Sequence, residues 1–396
     1  MNESASPPSD YSALVGATIH VSPSEAPIRD GVVLVQNEKI VAVGARAQMQ
    51  FPETAHVLDC FGFTITAGLW NSHVHFFERK WADSATIPAP ELTRQLQDML
   101  TRYGFTSVFD IGSSWENTRR LRDRIDSGEV PGPRIRSTGP GLVPPGALPS
   151  DLVLSLMGLM KFPAPEIADA AQAAAATKKL LDEGVDAIKL FASSPRSPSL
   201  SESTFQAAAD EAHRAGKPVF VHPNTGADIL TAVRGGVDII AHTTPHSGPW
   251  DETLLTTMKN RRVALTPTLT LWKYYARHDR LSAQEKVTNT EISQLRAWGA
   301  MEGEVLFGTD LGAVEYDPTE EYVLMSQAGM TFPQILASLT TAPSERFGDK
   351  NKLGRLAPGF QADLAVFQQD PAADIRALAQ VKYTLRAGKI IYRAND

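Results

Sequence analysis

Six residues of this 396-residue chain have the types and the placing needed to hold metal ions. His73 and His75 stand two apart in TAGLWNSHVHF. Residues i and i+2 of a strand point to one face, so both imidazoles can reach a single ion. His222 closes the run KPVFVH, His242 nearly closes GVDIIAHT, Asp310 closes EVLFGTD, and Lys189 lies in GVDAIKLFAS. Each ends or lies in a short apolar run, which places it at the C-terminal end of a candidate strand. The single cysteine, Cys60, excludes a thiolate cage and an internal disulfide. Any metal must therefore rest on imidazole and carboxylate.

The lysine needs its own chemistry. An ammonium group has no lone pair to offer a cation. Desolvated beside two metals, a lysine loses its proton more easily, and the neutral amine can take up carbon dioxide. The resulting N6-carboxylysine at Lys189 is a carboxylate on a long stem, able to bridge two ions about 3.5–4 Å apart. A hydroxide shared by two zinc ions is a nucleophile at neutral pH. Asp310 is then the expected catalytic residue, holding the hydroxide proton and passing it to the leaving group. Taken singly, these residues have plainer readings. A His-x-His pair can be a polar strand edge, a strand lysine an ion-pair partner, and a strand-ending histidine a hydrogen-bonded core residue. Four histidines, one lysine and one aspartate ending strands in order favour the joint reading.

Such a set needs a scaffold. Candidate strands lie at 64–74, 107–111, 134–138, 187–192, 218–222, 239–243, 264–269 and 305–309. Between them, IADAAQAAAATKKLLDEG, ESTFQAAADEAHRAGK and ADILTAVRGG read as helices, with glycine stops. Strands alternating with helices predict an α/β fold, a (β/α)8 TIM-like barrel over residues 64–353, with the site on its C-terminal face. The ligands then come from strands 1, 4, 5, 6 and 8. A doubly wound sheet is the alternative, but the G-x-G-x-x-G fingerprint it often carries is missing. Residues 11–63 and 354–396 carry short β-branched runs, with turns expected at QNEK and at Ala387-Gly388-Lys389. They predict a small β-sandwich domain built from both chain ends. Residues 1–10, MNESASPPSD, read as a disordered lead-in.

Composition narrows the classes further. A hydrophobic content of 42% is ample for a core and excludes disorder of the whole chain. No apolar run approaches the roughly 20 residues that span a bilayer, so no membrane partner is expected. A net charge of −7 gives no electrostatic reason to expect nucleic acid. The first residues lack a signal-peptide pattern, from which a cytoplasmic location is expected.

The phrases GFTITAGLWNSHVHF, TRYGFTSVFDIGS, GVDAIKLFAS, AGKPVFVHP, GVDIIAHTT, FGTDLG and TTAPSERFGDKNKLGRLAPGFQADLAVF resemble the amidohydrolase superfamily. The resemblance is to its binuclear type with a carbamylated lysine, and within it to the Xaa-Pro dipeptidase and imidazolonepropionase-like group. It runs from about residue 11 to 394. It implies two divalent ions, zinc above all: His73, His75 and Asp310 on the more buried one, His222 and His242 on the other, and carbamylated Lys189 between them. Lys189 argues against imidazolonepropionase itself. His222-Pro223-Asn224-Thr225, in place of His-x-x-Glu, argues against a deaminase. Three positions depart from the pattern. Ala67 replaces a proline, Asn71 replaces an aspartate, and RSTGPGLVPPGALPS lacks a histidine that some dipeptidase relatives carry.

The expected activity is that of a binuclear zinc hydrolase that cuts an amide C–N bond in a small molecule. An N-acyl amino acid or an Xaa-Pro-like dipeptide with a hydrophobic or aromatic part fits best. The same metals acting on a lactone, ester or phosphotriester are the alternative, and a non-catalytic assembly protein of the same fold is a lesser one. His246, Trp272 and Tyr274 are candidate substrate contacts. The apolar stretch 143–165, with Met157, Met160 and Phe162, reads either as a lid or as a subunit contact. With the resemblance, it makes a homo-oligomer the expected state.

Overall fold

The computed structural model describes residues 11–147, 164–193 and 199–395. The lead-in 1–10 and the candidate lid residues Met157, Met160 and Phe162 lie outside them. The chain forms two compact units. One takes the described parts of Met1–Leu69, Leu96–Thr106 and Phe332–Asp396; the other takes Trp70–Gln95 and the described parts of Ser107–Thr331.

The first unit is organised on a sheet that both chain ends enter. Its strands are β1 (Tyr11–Ile19), β2 (Ile28–Gln36), β3 (Lys39–Ala45), β4 (His56–Asp59), β5 (Thr64–Ala67), β14 (Leu364–Phe367), β15 (Val381–Arg386) and β16 (Lys389–Arg393), in the order β16-β15-β14-β5-β1-β2-β3 with β4 also on β1. The ends meet where β14 pairs antiparallel with β5, Val366 opposite Ile65. Both hairpin turns expected from sequence form. Gln36 faces Lys39 across Asn37 and Glu38, and Arg386 faces Lys389 across Ala387 and Gly388. All four loop residues have positive φ, the geometry that matches strand twist. A register shift at Gly16, φ 90°, lets β1 change the face it presents. Leu14, Ala17 and Ile19 pack with Val33, Ile65, Leu364, Val366 and Cys60, while Ala13 and Val15 pack with Val32 and Leu34 on a separate core.

The second unit holds a parallel sheet of five strands. β9 (Ile188–Phe191), β10 (Val219–His222), β11 (Ile239–Ala241), β12 (Ala264–Thr266) and β13 (Glu304–Val305) pair in sequence order. A three-stranded sheet runs β6 (Leu69–Val74), β7 (Phe105–Asp110), β8 (Arg134–Ser137). Beyond the strand ends, Leu142 exchanges backbone hydrogen bonds with Lys189 and Phe191, at 2.8 and 2.9 Å. Ser72 N donates to Phe307 O at 2.7 Å, and His75 N to Leu311 O at 2.7 Å. The expected strand 64–74 is in fact two. It breaks at Gly68, where a β-carbon would fall 2.3 Å from Thr106 Oγ1, so only glycine fits.

Helices follow the strands: α1 (Ala89–Met99), α2 (Trp115–Asp126), α3 (Ala170–Glu183), α4 (Glu202–Arg214), α5 (Gly226–Arg234), α6 (Glu252–Asn260), α7 (Leu269–Ala276), α8 (Leu281–Ala300) and α9 (Thr319–Gln327), of which α3, α4 and α5 are the three expected from sequence. Asp169 caps α3 by accepting from Gln172 N, and Gly184, φ 94°, ends it. Thr225 and Asp228 form a capping box at the start of α5, immediately after His222.

Candidate metal centre

His73, His75, His222 and His242 lie at the C-terminal ends of β6, β10 and β11, Asp310 in the loop after β13, and Lys189 within β9. His73 and His75, on and just past β6, bring their Nε2 atoms 3.2 Å apart. Asp310 Oδ1 lies 3.4 Å from His73 Nε2 and 2.8 Å from His75 Nε2. These three side chains are buried, and each offers a ligand atom within 4.8 Å of the other two. The His242 ring centroid stands 4.7 Å from that of His73, and its Nε2 lies 3.8 Å from Asp310 Oδ2. The His222 centroid is 4.6 Å from that of His242. Lys189 is buried, with its ammonium nitrogen 5.5 Å from the centroid of Phe191.

Two of these residues sit on unusual backbone. His242 has φ 93° and Asp310 φ 61°. Non-glycine residues at positive φ are uncommon and cluster at functional sites. Gly308 and Gly312 allow the close approach: a β-carbon on the first would meet His73 Cβ at 2.7 Å, and on the second His75 O at 2.5 Å. Phe77 stacks on His75 at 4.5 Å. At Asn71, Oδ1 accepts from His73 N at 3.2 Å and Nδ2 donates to Thr309 Oγ1 at 2.7 Å. The amide thus ties the two ligand-bearing strands together where an aspartate was expected.

The electrostatics suit a cation. Burial, then the neighbouring His242 and Lys189, holds His73 well below the usual imidazole range. Burial and His222 do the same to His242. Burial, with Lys189 beside it, brings His222 down to about 3. Burial lowers Lys189 to about 7, against the pull of Asp310. Neutral imidazoles carry the lone pair a metal needs, and a lysine that readily loses its proton carries the nucleophilic nitrogen that carbon dioxide needs. Among the described residues no hydrogen bond satisfies buried Asp310 Oδ1, which faces His75 Nε2 at 2.8 Å, or the Nδ1 atoms of His73 and His75. Lone pairs aimed at one point, with one carboxylate oxygen orphaned there, fit a divalent ion.

A cavity of about 920 Å³ is lined by Glu78, Lys80, Tyr274, Tyr275, Arg277 and Tyr316, among others. Tyr274 therefore faces a space large enough for a small molecule. Trp272 lies with its ring 6.2 Å from His242 and 6.4 Å from His222, its Nε1 donating to Thr243 O at 3.0 Å. His246 is exposed, its ring 5.4 Å from that of Trp272. The sequence reading missed Glu78, Lys80 and Tyr316, which are joined by hydrogen bonds in the cavity wall. All three follow a ligand strand by a few residues, which is the one signal that points to them. Asp110, which ends β7, is buried and accepts from Ser113, Thr118 and Ser137. That is a structural role.

Comparison with known proteins finds relatives along most of the chain. A sequence profile of the amidohydrolase family matches residues 64–391. The ochratoxinase of Aspergillus niger is 24% identical, over 92% of this chain and 83% of that protein. The crystal structure of a putative prolidase from Bifidobacterium longum superposes with a TM-score of 0.80 at 26% identity, covering 98% of this chain and 96% of that one. A Xaa-Pro dipeptidase with methionine bound in its active site superposes with a TM-score of 0.81 at 20% identity, over 97% of this chain and all of the other.

Proposed function

The chain belongs to the amidohydrolase family and is a hydrolase acting on amide C–N bonds; from that premise we propose a binuclear enzyme that releases an amino acid from an N-acyl amino acid or an Xaa-Pro-like dipeptide with a hydrophobic or aromatic part. The observation that carries the proposal is the convergence of His73, His75 and Asp310 on one point, with the His242 ring tilted against His73 and the His222 ring edge-on to His242. In this reading β6 to β13 close into a (β/α)8 barrel around the site. His73, His75 and Asp310 hold one divalent ion, His222 and His242 a second, and Lys189, carboxylated on its amine, lies between them. When bound, two zinc ions would supply a water activated at neutral pH and a Lewis acid for the amide carbonyl.

The chain's own residues do the rest. Asp310 holds the proton of the attacking water on the oxygen that no hydrogen bond satisfies among the described residues and delivers it to the departing nitrogen. The φ of 61° at Asp310 fixes where that carboxylate points. Tyr274, Tyr275 and Tyr316 give the cavity aromatic wall, and Lys80 and Arg277 give it cations that suit an anionic small molecule. Ochratoxinase and the two prolidase-type structures support the choice of amide over ester.

A hydrolysis screen of zinc- and bicarbonate-supplied protein decides the matter. It sets aromatic N-acyl amino acids and Xaa-Pro dipeptides against lactones and aryl esters. Free amino acid released from at least one amide is the expected result. Turnover of lactones or esters with every amide left intact would overturn the amide assignment.

A further inference from the structure

Thr268 stands at an odd place for its chemistry. It is the residue before α7, the position where a threonine hydroxyl ordinarily accepts from a backbone N–H of the first turn. Here it makes no such cap, and its backbone is left-handed, φ 44° and ψ 52°. A β-branched residue in that region is a true outlier and persists only where its surroundings hold it. Thr268 is fully buried, and its hydroxyl does two other things. It donates to Pro267 O at 2.9 Å and lies 2.6 Å from His242 Nδ1.

A hydroxyl has one proton. We assign that proton to the Pro267 carbonyl, which makes the short contact to His242 one of Nδ1–H donating to Oγ1. The proton is thereby fixed on Nδ1, and the lone pair falls on Nε2, the atom that lies 3.8 Å from Asp310 Oδ2. The capping that Thr268 gives up is supplied from another helix. Glu321, buried on α9, accepts from Leu269 N on one carboxylate oxygen and from Thr270 N on the other, both at 2.8 Å. Thr270 Oγ1 adds a third bond at 3.0 Å. A carboxylate at a helix N-terminus also meets the positive end of the helix dipole.

We propose that Glu321 is a positioning residue: by capping α7 in place of Thr268, it holds the strained turn in which the Thr268 hydroxyl sets the tautomer and direction of His242. The proposal rests on the metal reading given above for its consequence, though not for its geometry. It assigns a role to a glutamate 79 positions from the histidine it serves.

Three variants test it. Thr268→Val keeps the shape and loses the hydroxyl, Thr268→Ser keeps the hydroxyl, and Glu321→Gln spoils the carboxylate cap. In the metal-free protein, nitrogen-15 spectra of labelled histidine should show His242 leaving the Nδ1–H form in Thr268→Val and retaining it in Thr268→Ser. Zinc affinity, measured by chelator competition, should fall about 10–100-fold in Thr268→Val and stay near wild type in Thr268→Ser. Glu321→Gln should weaken zinc in the same direction. Adding it to Thr268→Val should cost little more, because both act through one hydroxyl. An unchanged tautomer and affinity in Thr268→Val would overturn the proposal, as would fully additive losses in the double variant. If Glu321→Gln does not fold, Glu321→Asp takes its place, and a His242 tautomer and zinc affinity unchanged in it would overturn the role of Glu321. A wild-type chain that takes up no zinc removes the metal reading instead, and the histidine spectra then judge the Thr268 contact separately.

Discussion

At the scale of single residues, the site depends on side chains whose neighbours leave them little choice of role. Asp310 presents to two imidazole nitrogens one buried oxygen that no hydrogen bond satisfies among the described residues. Asp310→Asn keeps the volume and removes the charge, so kcat should fall about 10²–10⁴-fold while the melting temperature stays close to wild type. Activity within a few-fold of wild type would show that the proton is carried elsewhere. These residues were legible in the sequence because each closes an apolar run, and the end of a strand is a local signal. Thr268 was not, since no residue type announces a left-handed threonine. Nor was Glu321, whose partners at 269 and 270 come together with it only on folding.

At the scale of elements, α8 and α9 bring two buried carboxyls within reach of each other. Burial raises Glu321 to about 7, and burial with Glu321 nearby raises Glu291 well above the carboxylate range. Among the described residues neither Glu291 oxygen makes a well-formed hydrogen bond, and the Thr243 hydroxyl beside it offsets the rise only in part. Folded-state values above the unfolded ones mean that the folded chain keeps protons the unfolded chain has released. This contribution to stability is therefore complete below about pH 4.5 and is lost as pH rises through about 7 for Glu321, a change of about 3 kcal/mol. Glu291→Met should stabilise the chain at pH 8 by about 1–3 kcal/mol and flatten the fall of stability with pH, read by urea denaturation across pH 4 to 8. A variant less stable than wild type at pH 8 would show that Glu291 is paired in solution. The helices themselves were readable, because alanine-rich periodic runs with caps at Asp169 and Gly184 act locally. The break at Gly68 was not, because the strand pattern continues across it and only the approach of Thr106 forbids a side chain there.

At the scale of the whole molecule, the first sheet exists only because residues more than 290 positions apart pair, as Leu364 does with Ala67. Sequence showed that both ends were strand-rich with tight turns. It led to the expectation that they build one small sandwich domain, but not to which strand of the front meets which of the back, since pairing order leaves no periodic trace. Leu364 is fully buried at that seam, and Leu364→Ala should cost about 2–5 kcal/mol. A lower urea midpoint with an unchanged slope would register the loss. A midpoint within error of wild type would mean that the seam adds little to stability.

The central claim concerns what the gathered ligands hold, and metal content measures it most directly. Elemental analysis of the folded chain, purified with zinc and bicarbonate supplied, should find about two ions per chain, and at most about one in Lys189→Ala. A folded wild-type chain with no bound metal, or a Lys189→Ala chain loaded as fully as wild type, would contradict the account.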